Sequence, residues 1–197
     1  MKKIDVYDFD KTLYEKDSTV QFYIFCLRKN KSIIKYLPFQ IINFILYKLK
    51  IVKKVVFKER FFVFLKLLKN VDQYVDEFWK LNEKYIRKNI LEKSNNPKYV
   101  ISASPEFLLE KICNSIGIDK LIASKVDKNT GEFLSENCYG EEKVNRLKEE
   151  DKNFKIENFY TDSITDKFLA NISEKSYLIT KGGIKEWRVK IQSTNIS

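Results

Sequence analysis

Ile4-Asp5-Val6-Tyr7-Asp8-Phe9-Asp10-Lys11-Thr12-Leu13 is the stretch that decides the fold. Apolar and polar residues alternate from Ile4 to Phe9, and Val6 and Tyr7 suit a pleated backbone. The pattern predicts a strand that runs straight into an acidic cluster. Asp17-Ser18 then predicts a helix start. From there to about Asn89 the chain is helical in character, with apolar residues at helical spacing in Phe61, Phe62, Phe64, Leu65 and Leu68 and again in Val75, Phe78 and Trp79. Pro38 is expected to interrupt this run, and Asn70-Val71-Asp72 to open a new helix.

Beyond the polar break Lys93–Asn96 the rhythm changes. Tyr99-Val100-Ile101 reads as a buried parallel strand, ending at Ser102-Ala103-Ser104-Pro105. Pro105 and Glu106 suit the first turn of a helix that continues through Phe107, Leu108, Leu109 and Ile112. Leu121 to Val126 predicts a strand. Asn129-Thr130-Gly131 predicts a turn, with room for a hairpin over 127–140. Glu141 to Glu150 predicts a helix, Phe154 to Tyr160 a strand ending at Thr161-Asp162, and Ser176 to Ile179 a last strand before an irregular tail. Strands alternating with helices imply a Rossmann-like parallel α/β sheet flanked by helices. The expected organisation is an α/β core over 1–14 and 93–197, with an all-α lobe over 15–92 inserted after the first strand.

Composition narrows the chemistry. The 197 residues are 44% hydrophobic and only 5 are Gly and 3 Pro, which fits a folded chain without long flexible linkers. Histidine is absent, so Ser-His and Cys-His mechanisms and His-ligated zinc are excluded. Cys26, Cys113 and Cys138 match no metal-site spacing and suit a reducing cytoplasm. Met1-Lys2-Lys3 is followed by aspartates rather than an apolar core, so no signal peptide is expected. The longest uncharged stretch, Tyr36 to Tyr47, is too short to span a bilayer. The net charge of +10 sits almost wholly in 15–92, where 17 Lys and Arg face 8 Asp and Glu, and no acidic residue occurs from Ser18 to Lys58.

Three predicted strands end in polar clusters: Asp8-Phe9-Asp10-Lys11-Thr12, Ser102-Ala103-Ser104 and Asp162-Ser163-Ile164-Thr165-Asp166. In an open parallel sheet, ligands bind at the carboxyl ends of the strands. Asp8, Asp10 and Asp162 would present hard oxygen ligands suited to Mg²⁺, which keeps waters and bridges to phosphate. Each cluster alone has a plainer reading as a capped turn.

Together, these residues resemble the motifs of haloacid-dehalogenase phosphatases. Asp8 to Leu13 is similar to the first motif, DxDxT. Val100-Ile101-Ser102 looks like the second, Lys143 in Gly140-Glu141-Glu142-Lys143 like the third, and Tyr160-Thr161-Asp162 through Asp166 like the fourth. The set is closest to the branch of phosphoserine phosphatases and phosphatidylglycerophosphate phosphatases, in which a helical cap is inserted between the first two motifs. The resemblance implies a Mg²⁺-dependent phosphomonoester hydrolase. Asp8 would be the nucleophile and metal ligand, and Asp10 the acid–base residue, giving its backbone carbonyl to the metal. Asp162 would bind the metal and Asp166 support it. Lys143 would neutralise charge, and Ser102, with Ala103, Ser104 and Thr12, would contact phosphate. Thr12 and Ser104 also have readings as local caps, and Lys11 reads as facing solvent. Thr161 stands where the family often has Gly. Glu15 and Arg60 are charged candidates in the cap whose register the spacing does not settle.

The cap combines lysines with Ile33, Ile34, Tyr36, Leu37, Phe39, Ile41, Ile42, Phe44, Ile45 and Leu46. One reading is a surface for anionic lipid at the inner face of the membrane, with a lipid phosphate as substrate in place of a small phosphorylated metabolite. The other is that these residues form the cap's own core. A basic nucleic-acid-binding or partner-binding module is the alternative function, and the lack of any recognisable nucleic-acid motif counts against it.

Overall fold

The computed structural model describes residues 1–187. Its centre is strand β1 (Lys2–Tyr7), whose last four residues are all buried. With β2 (Lys98–Pro105), β3 (Lys120–Ser124), β4 (Phe154–Thr161), β5 (Ser173–Thr180) and β6 (Gly183–Glu186) it forms one sheet in the order β3-β2-β1-β4-β5-β6. All neighbours pair in parallel except β5 and β6. The expected irregular tail after Ile179 therefore opens with an antiparallel edge strand, for which Lys181-Gly182-Gly183 supplies the turn; residues 188–197 lie outside the described residues.

Both faces of the sheet are covered. On one face Ile4, Val6, Ile101, Ile122, Ile156 and Phe159 pack beneath α7 (Glu142–Glu150) and α8 (Lys167–Asn171). On the other, Tyr7, Val100 and Tyr160 join a larger cluster with α6 (Glu106–Ser115) and with helices from between β1 and β2. Matched register stacks Tyr7 on Tyr160 (5.1 Å between ring centroids) and Tyr160 on Tyr177 (4.8 Å) across three strands.

Between β1 and β2 lie α1 (Ser18–Lys29), α2 (Leu37–Lys48), α3 (Lys54–Phe62), α4 (Val71–Asn82) and the short α5 (Lys88–Leu91). Asp17 caps α1 by accepting from Val20 N–H (2.9 Å), and Asn70 caps α4 by accepting from Gln73 N–H (3.2 Å). Phe22 of α1 meets Phe78 of α4 edge-on, and Trp79 Nε1 donates to Leu108 O of α6, so α1 and α4 share the core of the sheet. Pro38 does not break the helical run: it lies in the first turn of α2, where its missing N–H leaves no bond unmade. The helical spacing from Phe61 to Leu68 is shared by two elements: α3 ends at Phe62, and the chain tightens into a 3-10 turn over Val63–Leu67. Residues 127–140 form no full hairpin, only a bridge between Val126 and Phe133.

Ile33 of the 3-10 turn Lys31–Tyr36 is fully buried, but Ile34, Phe39, Ile41, Ile42, Phe44 and Ile45 are exposed. Burial among the helices between β1 and β2 therefore accounts for only part of this apolar segment.

Candidate active site

The carboxyl ends of β1, β2 and β4 lie side by side at the middle of the sheet, and the clusters that follow them line one pocket of about 430 Å³. Asp8 follows β1 directly, and its N–H donates to Tyr160 O (2.8 Å), which pins it against β4. Lys143, in the first turn of α7, reaches this point with its side chain almost wholly buried. Its ammonium donates to Asp8 Oδ1 (2.8 Å) and Asp166 Oδ2 (2.9 Å). Asp166 Oδ2 also accepts from Thr161 Oγ1 (2.8 Å). Thr161, at the position where the resemblance led us to expect Gly, thus holds the carboxylate that faces Lys143.

Asp10 is held apart from Asp8 by a different set. Its Oδ1 accepts from Ser18 N–H at the start of α1 (2.6 Å), and its Oδ2 accepts from Ser104 Oγ (2.5 Å). Lys11 takes a left-handed conformation (φ 57°) that turns the chain away from the sheet; it is exposed and also borders the pocket. Thr12 is fully buried, its hydroxyl has no hydrogen-bond partner among the described residues, and it does not line the pocket.

The pairing of β2 with β3 slips between Ser102 and Pro105, so Ala103 and Ser104 bulge from the strand end. Ser102 Oγ accepts from Ser104 N–H (3.1 Å). Ala103 O accepts from Ser124 Oγ (3.1 Å) and from Lys58 Nζ (2.7 Å), which reaches down from α3. Lys58 Nζ also donates to Asn137 Oδ1 (2.8 Å).

Burial sets the proton affinities. It lifts the carboxyl of Asp8 to about 7, with the nearby Asp166 and Asp10 charges adding to the rise and Lys143 opposing it. Burial raises Asp10 to about 6, helped by the charge of Asp17, while the bonds from Ser104 and Ser18 favour the ionised form. Lys143 is driven the other way from its desolvation by Asp8 and Asp166 and stays protonated. Desolvation also raises Asp162, which borders the same pocket. Burial first and the neighbouring Lys54 second bring Lys58 down to about 8.

Among the described residues no three His, Cys, Asp or Glu side chains close into a ready-made metal cluster. The donor set still fits a hard cation. Asp8 and Asp162 present oxygen to the pocket, and both carboxyls are pushed up by burial that a nearby positive charge would relieve. Mg²⁺ needs only one or two carboxylates, with waters and phosphate filling the remaining positions.

Of the residues expected from sequence, Asp8, Asp10, Ser102, Ala103, Ser104, Lys143, Asp162 and Asp166 line the pocket and Thr12 does not. Glu15 and Arg60 do not line it either; Arg60 of α3 donates to Asn43 Oδ1 of α2 (2.5 Å). Sequence reasoning missed the opposite wall: Lys54, Phe57, Lys58 and Phe61 of α3, together with Tyr139. Lys54 Nζ stands 3.0 Å from the centre of the Tyr139 ring. The only available signal was the spacing of Lys54, Lys58 and of Phe57, Phe61, each four apart on one helix.

The model of the haloacid dehalogenase-like hydrolase family matches residues 6–170. Among solved structures, a protein of unknown function from Bordetella pertussis Tohama I is similar, at 17% identity over 89% of each chain and a TM-score of 0.71. A phosphoserine phosphohydrolase-like protein from Francisella tularensis shares 18% identity over 89% of this chain and 86% of its own, with a TM-score of 0.53. A substrate-bound phosphoserine phosphatase shares 17% over 89% and 85%, with a TM-score of 0.55. No curated protein matches the chain. At these identities the neighbours speak to the fold alone.

Proposed function

The chain belongs to the haloacid dehalogenase-like hydrolase family, and from that premise we propose that it is a Mg²⁺-dependent phosphomonoester hydrolase working through an aspartyl-phosphate on Asp8. The observation that carries the reading is the pair of carboxylates at the end of β1, each given a different environment. Asp8 is ion-paired to a buried lysine, whereas Asp10 is hydrogen-bonded by a serine hydroxyl and a helix N–H. One, lifted by burial to about 7, relies on the Lys143 cation, and on a metal when bound, to be ionised for attack. The other, lifted to about 6, is equipped to exchange a proton near neutral pH.

In this mechanism the carboxylate of Asp8, held by Lys143 through Oδ1, attacks phosphorus with its second oxygen. The bond from phosphorus to the ester oxygen breaks, and Asp10 gives its proton to that oxygen. Asp10 then takes a proton from water, which attacks the same phosphorus. Phosphate leaves and Asp8 is restored. Lys143 offsets the repulsion between Asp8 and the phosphoryl oxygens, and Ser102 and the backbone of the bulge at Ala103 and Ser104 hold those oxygens. Asp8, the Asp10 carbonyl and Asp162 would hold Mg²⁺, with Asp166 in support. The ion supplies positive charge that favours ionised Asp8 and neutralises the phosphate.

The leaving group then faces α3. That wall offers Phe57, Phe61, Lys54 and Lys58, which suits a group that is partly apolar and neutral or anionic better than one bearing a free amine. A small phosphorylated acid or a lipid phosphate meets that description. The test is phosphate release from a panel of phosphomonoesters, with Mg²⁺ or EDTA, by the wild type and Asp8→Asn. Metal-dependent turnover lost in the variant is the expected result. Equal turnover by the variant would sink the mechanism.

A further inference from the structure

Helix α2 is amphipathic with its faces reversed. A helix on the surface of a water-soluble protein turns its apolar stripe inward. Here the residues turned inward are Gln40 and Asn43, both buried. Gln40 accepts from Tyr23 Oη (2.5 Å) and donates to Phe61 O (2.8 Å), and Asn43 accepts from Arg60 Nη1 (2.5 Å). These bonds tie the polar face of α2 to α1 and α3 and fix its orientation. The outward face carries Phe39, Ile41, Ile42, Phe44 and Ile45, with Ile41 and Ile42 each 56% exposed. Leu49 and Ile51, still more exposed at 64% and 68%, extend the patch past the helix end.

Exposed lysines flank this helix at both ends: Lys31 and Lys35 before it, and Lys48, Lys50 and Lys53 at its end and beyond. No acidic residue occurs between Ser18 and Lys58 to offset them. We propose that this face is a docking surface for an anionic lipid bilayer, with α2 lying in the interface plane and its apolar side chains among the acyl chains.

Charge selects this occupant over a second copy of the chain. A twofold contact through the patch would set the lysines of one copy against those of the other, whereas an anionic bilayer is complementary to them. Length selects lying over crossing. Twelve helical residues reach about 18 Å, against about 30 Å of hydrocarbon, and among the described residues no helix is long and apolar enough to cross a membrane. An apolar face flanked by lysine is the pattern of an interfacial helix. The surface is also coupled to the pocket. Tyr47 stacks on Phe57 at 4.8 Å and Phe44 packs against the same ring at 6.0 Å, and Phe57 lines the catalytic cavity.

The full chain is sedimented with vesicles of phosphatidylcholine alone and of phosphatidylcholine and phosphatidylglycerol in equal parts. The expected result is binding to the anionic vesicles at low salt, weakened as salt rises, and little binding to the zwitterionic ones. Ile41→Asp with Ile45→Asp is expected to lower the anionic binding at least about tenfold, with thermal unfolding unchanged as the check on folding. Failure of the wild type to sediment at low salt would overturn the proposal. Binding that the double variant retains would reduce it to charge alone and overturn it as well. So would a dimer seen by light scattering that the same variant makes monomeric, because the face would then belong to a second copy. Binding is read without turnover, so this outcome is independent of whether the site is a phosphohydrolase.

Discussion

The ammonium of Lys143 stands 2.8 Å from Oδ1 of Asp8, a residue 135 positions earlier in the chain, and the lysine side chain is only 3% exposed. A lysine at this depth is stable only because two carboxylates face it, Asp8 and Asp166. Lys143→Met leaves those carboxylates buried beside each other without their cation. We expect kcat to fall by at least about a hundredfold and the fold to lose about 3–5 kcal/mol, less whatever protonation of one carboxyl recovers. Steady-state kinetics and denaturant unfolding measure the two. Lys143→Arg should not restore activity, because the larger guanidinium does not fit a side-chain site that is 3% exposed.

Asp10 makes the opposite contribution to stability. Its carboxyl rises from 3.8 to about 6 on folding. The folded state therefore binds more protons than the unfolded state across that window, and stability falls as pH rises through it. Asp10→Asn carries no charge at any pH and keeps an acceptor for Ser18 N–H. Relative to the wild type it should gain up to about 3 kcal/mol at pH 8, with the gain disappearing as pH falls toward 4, while turnover is lost. Thermal unfolding at the two pH values checks this. A variant less stable than wild type at pH 8 would contradict it.

Thr12→Val separates two meanings of one residue. The Thr12 hydroxyl is buried without a partner among the described residues and lies off the pocket. Valine has nearly the same shape and leaves no donor unsatisfied, so stability should hold or rise by about 1 kcal/mol. Turnover should stay within about twofold, since no phosphate contact is removed. A large loss of kcat with the fold intact would restore Thr12 to the phosphate-binding set.

The strands and their order of use were legible because each leaves a local mark. Alternation followed by Asp8 marks β1, an apolar run followed by Ser102 marks β2, and Thr161-Asp162 marks the end of β4. Their convergence follows from parallel topology, which places carboxyl ends together. The far wall was not legible in the same way. Lys58 reaches Ala103 O only because α3 is folded back over the sheet, and nothing near Lys58 in sequence records that docking. Ser104 could be read as a helix cap or a site group with equal reason, but Pro105 occupies the N-cap of α6 and the Ser104 hydroxyl turns to Asp10. The outward face of α2 was visible as composition only. Which way an apolar helix turns is decided by its polar partners, here Tyr23, Phe61 and Arg60.

Gly131 is fixed by what lies across from it. Its φ is +81°, and a Cβ there would stand 2.7 Å from both the Cβ and the carbonyl oxygen of Phe62. The turn that holds it is tied by Asp127 Oδ1, which accepts from Asn129 N–H (2.7 Å) and Thr130 N–H (2.9 Å), so it cannot readily shift. Gly131→Ala should destabilise by about 2–4 kcal/mol, combining left-handed strain with overpacking. Because the clash falls on Phe62, which lines the pocket, KM should rise as well. Unfolding and kinetics on the same variant test both parts.

Lys58 ties the cap to the loop that would hold phosphate. Its ammonium donates to Ala103 O and Asn137 Oδ1, and both oxygens also lie 3.1 Å from Ser124 Oγ, whose one proton serves one of them at a time. Lys58→Met therefore leaves one of the two oxygens without a full donor, while removing a cation whose charge is costly to bury. Stability near neutral pH should fall by about 1–3 kcal/mol, less what is recovered by no longer burying the charge. The lysine's proton affinity falls from 10.5 to about 8 on folding. The unfolded chain thus binds more protons between those values, and Lys58 contributes a rise in stability as pH increases across them. That rise should be absent from the variant's pH profile. Activity should respond differently. Without Lys58 the α3 wall loses its direct bond to the bulge at Ala103, and kcat/KM should fall about tenfold or more on substrates whose leaving group reaches the cap. Minimal phosphomonoesters that do not reach it should lose less, so comparing the two substrate types distinguishes a positioning role from general damage to the fold.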